Sequence, residues 1–159
     1  MRLFIADGNS ANRLALQLYL HQEPGLYVIG MTAEARSLLA QVEASQPEIL
    51  LLDWQLPGAT MPELLTGIRK LEGAPEVIVL SVNPEVEVPA LAAGAIAFIN
   101  KNAPPYALLD VLRSLVDDGP VEDLFFPESK KSKRPGKPKA DLGRIMTLED
   151  QLKALGKRR

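Results

Sequence analysis

The segment 47–58, PEILLLDWQLPG, constrains the fold of this chain more than any other. Its apolar run ends abruptly in Asp53, and a Pro57–Gly58 turn follows. A short apolar run bounded by proline on both sides predicts a strand that is buried on both faces, as in a parallel sheet. Asp53 then either caps the turn after the strand or lies where open α/β sheets place their chemistry.

Similar apolar runs alternate with segments of helical periodicity over the first three quarters of the chain. Strands are predicted at 3–6, 26–30, 49–53, 76–81 and 95–100, and helices at 10–21, 33–45, 61–71, 85–93 and from 104 or 105 to 117. Ser10 is predicted to cap the first helix, in which Ala11, Leu14 and Leu18 recur at helical spacing. The alternation predicts one doubly wound α/β domain: a flavodoxin-like (βα)5 fold with a five-stranded parallel sheet.

Polar residues close four of these predicted strands: Asp7, Asp53, Ser81 and Lys101. Parallel strands bring their carboxyl ends together at one edge of the sheet. We therefore expect these four side chains to lie close to one another. Trp54, the only tryptophan, is expected to be a partly exposed residue of the same edge.

Four motifs carry a resemblance to a known family. They are IAD at the first strand, LLLDWQLPG at the third, VLS at the fourth and GAIAFINK at the fifth. In this order and spacing, residues 2–117 resemble the receiver domain of bacterial response regulators of two-component systems. The tract KNAPPYALLDVL is similar to receivers that usually precede a helix-turn-helix output domain, and we expect this chain to lack that domain.

The resemblance implies a phosphoryl-accepting site. Asp53 would take a phosphoryl group from a histidine kinase or a phosphotransfer protein. Asp7, Asp53 and the backbone carbonyl of Gln55 would hold Mg²⁺, a cation that needs few carboxylates beside water. Ser81 and Lys101 would assist the transfer by stabilising negative charge on the transferring oxygens.

The resemblance also implies a switch and an output surface. Ser81 and Phe98 match the two switch positions of the family. The face of the fourth and fifth strands would contact an output partner protein. The chain would then be a binding and switching module and not an enzyme; an aspartate-nucleophile phosphatase is disfavoured because Gln55 stands where a second acid would be needed.

Gly8 departs from the family pattern. Receivers normally carry two adjacent acids after the first strand, and Gly8 occupies the position of the second, which usually contacts the metal. Magnesium binding should therefore be weak: a ligand contribution of even ~1.4 kcal/mol corresponds to a tenfold change in affinity. Two hypotheses follow: a phosphoacceptor with weak magnesium dependence, or a degenerate receiver that signals without phosphorylation.

Charge divides the chain into an acidic body and a basic tail. Residues 1–127 contain 7 Lys and Arg against 16 Asp and Glu, and residues 128–159 contain 11 against 4, which gives balances of −9 and +7. We predict a receiver domain over 1–120, a flexible linker over 121–140 and a tail over 141–159 with a short amphipathic helix carrying Leu148, Leu152 and Leu155. The linker has six basic residues, and the contacts of the tail are predicted at four of them: Lys130, Lys131, Lys133 and Arg134.

Three roles are open for this tail: folding back onto the acidic body, contacting nucleic acid or an acidic membrane surface, or docking into a partner. A nucleic-acid-binding adaptor is the alternative function.

The chain has no cysteine, which excludes disulfides and cysteine nucleophiles. The first ten residues, MRLFIADGNS, lack the long apolar region of a signal peptide, and no apolar run is long enough to span a bilayer, so we expect a cytoplasmic protein.

Overall fold

The computed structural model describes residues 1–117. The predicted linker, the tail and its basic residues lie outside these residues. The strands are β1 Arg2–Ala6, β2 Tyr27–Thr32, β3 Ile49–Asp53, β4 Glu76–Ser81 and β5 Ala97–Asn100. The helices are α1 Ser10–His21, α2 Ala35–Ser45, α3 Met61–Arg69, α4 Glu87–Ala92 and α5 Tyr106–Asp117, with a 3₁₀ turn, Pro84–Val86, before α4.

The five strands form one parallel sheet in the order β2-β1-β3-β4-β5. This confirms the predicted flavodoxin-like fold. The chain passes from β1 to β2 on one side and then returns to place β3 on the other side of β1. Such a reversal opens a crevice at the carboxyl ends of the two central strands. Asp7, directly after β1, and Asp53, the last residue of β3, lie at this crevice.

Helices cover both faces of the sheet, as the strand sequences require. Leu50 and Leu52 of β3 pack into a core with residues of α2, α3 and α4, and Ile49 and Leu51 pack into a second core with residues of α1 and α5. Alternating side chains of one strand point to opposite faces of a sheet. The continuous apolar run of β3 is therefore the consequence of its central, doubly covered position.

Helix α1 differs from its prediction in two respects. Its cap is Asn9 and not Ser10: Asn9 Oδ1 accepts from the backbone N–H groups of Ala11 at 2.9 Å and Asn12 at 3.2 Å. Leu14 and Leu18, whose spacing predicted the helix, are 55% and 57% exposed. The helix packs on the sheet through its other apolar face, because periodicity identifies an apolar stripe without telling which stripe meets the core.

Several boundaries also move. The second strand begins and ends later than predicted, at Tyr27–Thr32, because it pairs with β1 along its whole length as the sheet edge. The fifth begins at Ala97, since only from there does it pair with β4. The helix predicted at 85–93 is divided into the 3₁₀ turn and α4.

Gly30 of β2 lies against the ring of Phe4 on β1. A Cβ atom at Gly30 would meet two ring carbons, Cε2 and Cδ2, with only 2.8 Å to Cδ2. Phe4 is 1% exposed in the core beneath α2 and α3. The absence of a side chain at Gly30 is therefore what allows the edge strand to close over this ring.

We expect Gly30→Ala to lower the free energy of unfolding by about 1–3 kcal/mol, because an additional methyl group in a packed core forces strain. Urea denaturation of the variant measures this loss. The control is a double-mutant cycle with Phe4→Leu. If the Phe4 ring causes the strain, Gly30→Ala lowers the free energy of unfolding less in the Phe4→Leu variant than in the parent chain. An equal cost in both backgrounds would contradict the assignment.

Candidate phosphoacceptor site

Two carboxylates and one ammonium group meet at the carboxyl edge of the sheet. Lys101 Nζ lies 2.7 Å from Asp7 Oδ2 and 3.2 Å from Asp53 Oδ2. The side chains of Asp7, Asp53 and Lys101 are 1%, 11% and 19% exposed. Buried charges are costly unless they are paired, so this cluster exists because the ammonium compensates both acids. It still carries one net negative charge.

Asp53 caps the turn after β3 and also lies at the edge where open α/β sheets place their chemistry. Its Oδ1 accepts from the backbone N–H of Gln55 at 3.1 Å and so caps the turn after β3. Its Oδ2 faces Lys101. One oxygen therefore holds the loop and the other lies in the cluster, so the capping and the functional interpretations of Asp53 are compatible.

Asp7 is held by three residues that the sequence did not single out: Asn9, Asn12 and Arg13. The Asn9 backbone N–H donates to Asp7 Oδ1 at 2.8 Å, and Asn12 Nδ2 donates to Oδ2 at 3.4 Å. The Arg13 guanidinium donates to the Asp7 carbonyl at 2.6 Å. The available signal was that Asp accepts from the backbone N–H two residues on in such turns.

Ser81 lies at the same edge but outside the charged cluster. It is 2% exposed, and its hydroxyl accepts from the backbone N–H of Asn83 at 3.1 Å instead of contacting Asp53. Its carbonyl accepts from the Lys101 N–H at 2.9 Å, which ties β4 to the residue carrying the ammonium. Phe98 of β5 is 1% exposed in the core under α4.

The loop after β3 supports the site from outside. Trp54 is half-buried against the core of α2, α3 and α4, and its backbone N–H donates to the Leu80 carbonyl at 2.9 Å. Beyond the Pro57–Gly58 turn, Glu63 accepts from both the backbone N–H and the hydroxyl of Thr60 and so closes the start of α3. Both hydrogen bonds lower the pKa of the Glu63 carboxyl, and the one from the Thr60 hydroxyl has the larger effect.

The carboxylate oxygens of Asp7 and Asp53 suit a hard cation that needs few protein ligands. Asp7 and Asp53 already converge on one positive group, and Mg²⁺ uses one or two carboxylates together with carbonyl oxygens and water. Within residues 1–117, no three His, Cys, Asp or Glu side chains come together as a potential metal site. Gly8, exposed in the loop after Asp7, contributes no side-chain ligand.

The profile of the response regulator receiver domain family matches residues 3–113, and the chain belongs to this family. Receiver domains are switch modules of two-component signalling that interact with histidine kinases or phosphotransfer proteins and generally bind Mg²⁺ in an acidic pocket. None of the helices within residues 1–117 is long and apolar enough to cross a membrane.

Two relatives are similar in sequence to part of this chain. The chain is 30% identical over 113 residues to the probable transcriptional regulatory protein SgaR of Hyphomicrobium methylovorum, covering 70% of this chain and 54% of SgaR. It is 31% identical over 104 residues to protein-glutamate methylesterase/protein-glutamine glutaminase 5 of Myxococcus xanthus, covering 64% of this chain and 30% of that protein. The chain thus spans about half of the first relative and less than a third of the second.

Solved structures share the fold at lower identity. The isolated receiver domain of RcsB from Salmonella enterica serovar Typhimurium, in the presence of the phosphomimetic BeF₃⁻, gives a TM-score of 0.68 at 21% identity over 74% of this chain and 89% of that one. A LuxR-family two-component response regulator from Aurantimonas gives 0.67 at 22%, over 73% and 84%.

Proposed function

We propose that Asp53 accepts a phosphoryl group from a histidine kinase or phosphotransfer protein, and that the chain acts as a switch without a turnover reaction of its own. The observation that carries this proposal is the geometry of the crevice. Asp53 Oδ2 faces Lys101 Nζ at 3.2 Å, and the same ammonium lies 2.7 Å from Asp7 Oδ2. An acid at the carboxyl edge with a cation beside it is what phosphoryl transfer needs, since positioning and charge stabilisation supply most of the catalysis.

In the transfer, a carboxylate oxygen of Asp53 forms a bond to phosphorus while the bond from phosphorus to the donor nitrogen breaks. The Gln55 N–H keeps the Asp53 carboxylate oriented through Oδ1. Once Asp53 is phosphorylated, Lys101 loses its ion pair with the Asp53 carboxylate and pairs with the phosphoryl oxygens instead. When bound, Mg²⁺ would neutralise further charge on those oxygens, held by Asp7, Asp53 and the Gln55 carbonyl.

The switch would proceed through Ser81 and Phe98. The Ser81 hydroxyl accepts from the Asn83 N–H at 3.1 Å and would turn to donate its own O–H to a phosphoryl oxygen. Movement of the loop after β4 would then change the space around Phe98 on the neighbouring strand β5. We propose that the altered face of β4 and β5 contacts an output partner protein.

The degenerate alternative is favoured by one observation, namely that Gly8 leaves the cluster with only two carboxylates. In that case Lys101 would act as a permanent structural cation, and the surface would signal in one fixed state. Nucleic-acid binding through the basic residues beyond 127 is a separate proposal; its signature would be binding that weakens steeply with salt.

The fluorescence of Trp54, which directly follows Asp53, distinguishes these possibilities. Mg²⁺ is titrated first, followed by beryllofluoride as a phosphoryl mimic. We expect a saturable change in the parent chain and in Asp110→Asn, a matched change of an exposed acid. Asp53→Asn should raise the beryllofluoride concentration that gives half of the fluorescence change at least about 100-fold, because an amide replaces the carboxylate that bonds to the phosphoryl mimic. If the parent chain shows no response at millimolar Mg²⁺ and a small phosphodonor produces no Asp53-dependent phosphoprotein, phosphoacceptance by Asp53 is wrong.

A further inference from the structure

Helix α1 carries a second apolar stripe on the side away from the core. Its members are Ala11, Leu14, Ala15 and Leu18, and all four are exposed. The spacing i, i+3, i+4, i+7 places them on one face. A helix at a protein surface normally turns polar residues outward. This stripe has the pattern with which one helix packs against another.

A cavity of about 400 Å³ opens beside this stripe. It lies between α1 and the loop that leads from β5 into α5, and its walls are mostly apolar. Ala15 belongs to both the stripe and the cavity wall, and Leu16 and Leu108 also line the cavity. The volume accommodates an aliphatic side chain that projects from a helix lying on the stripe.

A segment of the same chain has a complementary pattern. Leu148, Gln151, Leu152 and Leu155 repeat the spacing i, i+3, i+4, i+7, and the segment is followed by Lys157, Arg158 and Arg159. Residues 1–117 contain 7 Lys and Arg against 13 Asp and Glu, a balance of −6, whereas residues 118–159 contain 11 against 7, a balance of +4. Charge therefore favours association of the two parts of the chain.

The last turns of α5 lie close to the end of α1. Helix α5 packs on the same face of the sheet as α1, and Arg113 Nη2 donates to Glu23 Oε2 at 2.9 Å just beyond the end of α1. A flexible chain as long as residues 118–146 would span roughly 30 Å on average, whereas a helix of twelve residues such as α1 is about 18 Å long. The whole stripe is within reach.

We propose that residues 147–155 dock as an amphipathic helix on the α1 stripe, with one leucine side chain entering the cavity. A small contact suffices, because a short tether gives an effective concentration in the millimolar range. Asp7 and Lys101 also line this cavity. The proposed docking site therefore borders the phosphoacceptor edge. The inference is independent of whether Asp53 is phosphorylated.

The absence of cysteine from the chain allows a direct test by crosslinking. The full-length variant Ala15→Cys with Gln151→Cys is treated with a short bis-maleimide, and intramolecular crosslinking is followed by electrophoretic mobility. The matched control is Val88→Cys with Gln151→Cys, because Val88 is 75% exposed on α4, which covers the opposite face of the sheet. We expect the first pair to react at least tenfold faster than the control.

A third variant adds Leu152→Asp to the first pair. It removes a docking leucine and leaves both cysteines in place, so we expect its crosslinking rate to fall to that of the control. Equal rates for Ala15 and Val88 would overturn the proposal. A covalent dimer as the main product would also overturn it, since a second copy of the chain would then cover the stripe.

Discussion

Gly8→Asp should raise the affinity for Mg²⁺ by at least about tenfold, because one additional carboxylate ligand contributes ~1.4 kcal/mol or more. The structure permits the substitution. Gly8 is exposed, and its backbone conformation is one that other residues adopt. A Cβ atom there would lie 3.1 Å from Pro57 Cδ, so the proline must yield by a few tenths of an ångström. Magnesium titration followed by Trp54 fluorescence or by calorimetry measures the effect.

The matched control for this variant is Gly8→Asn, which has nearly the same shape but no charge. If position 8 contacts the metal, the aspartate variant binds Mg²⁺ more tightly than the asparagine variant. Without metal, the aspartate variant should be the less stable of the two, since a third carboxylate then shares the single ammonium of Lys101. Equal magnesium affinities for the two variants would show that position 8 lies outside the metal site.

Lys101→Met should lower the free energy of unfolding by roughly 2–4 kcal/mol. Removing one partner of a buried ion pair leaves uncompensated charge, and here it leaves two carboxylates facing each other. The partial exposure of Lys101, 19% of its side chain, places the expected loss below that of a fully buried pair. Chemical denaturation in the absence of divalent cations measures the loss.

Magnesium provides the diagnostic readout for Lys101→Met. If the cost arises from the unpaired acids, Mg²⁺ should restore part of the stability by supplying positive charge, about 2.7 kcal/mol at a concentration of 100 times the dissociation constant. Lys70→Met, an exposed lysine at the end of α3, should change stability by less than about 0.5 kcal/mol. A Lys101→Met loss as small as that of Lys70→Met would contradict the role of Lys101 in compensating the cluster.

Strands in the middle of the sheet were the most predictable elements. β3 and β4 have the predicted bounds, since an uninterrupted apolar run ending in a polar residue has few other folded forms. For the edge strand β2, the predicted bounds lay too early in the chain. Its first five residues alternate between exposed and partly buried positions, and the apolar residues of LYVIGM at 26–31 begin before the strand and stop short of Thr32, so the apolar run alone did not mark where the strand begins and ends.

The relation between Asp7, Asp53 and Lys101 was predicted as a cluster, but its internal geometry was not. Strand order and register decide which of two carboxylates an ammonium meets, and both are properties of pairing between segments far apart in the chain. The same limitation applies to Ser81. Its position at the edge was foreseen, whereas the hydrogen bond that turns its hydroxyl toward Asn83 depends on the conformation of the loop after β4.

By itself, the sequence determined the fold class and the edge at which Asp53 lies, because the periodicity of apolar residues and the polar ends of strands are local properties. The tertiary structure alone decided which face of α1 meets the core and that Lys101 bridges both acids. These outcomes depend on competition between alternative packings. A stripe of apolar residues on a helix indicates a packing surface. Only the assembled sheet shows that Leu14 and Leu18 do not pack into the protein's own core.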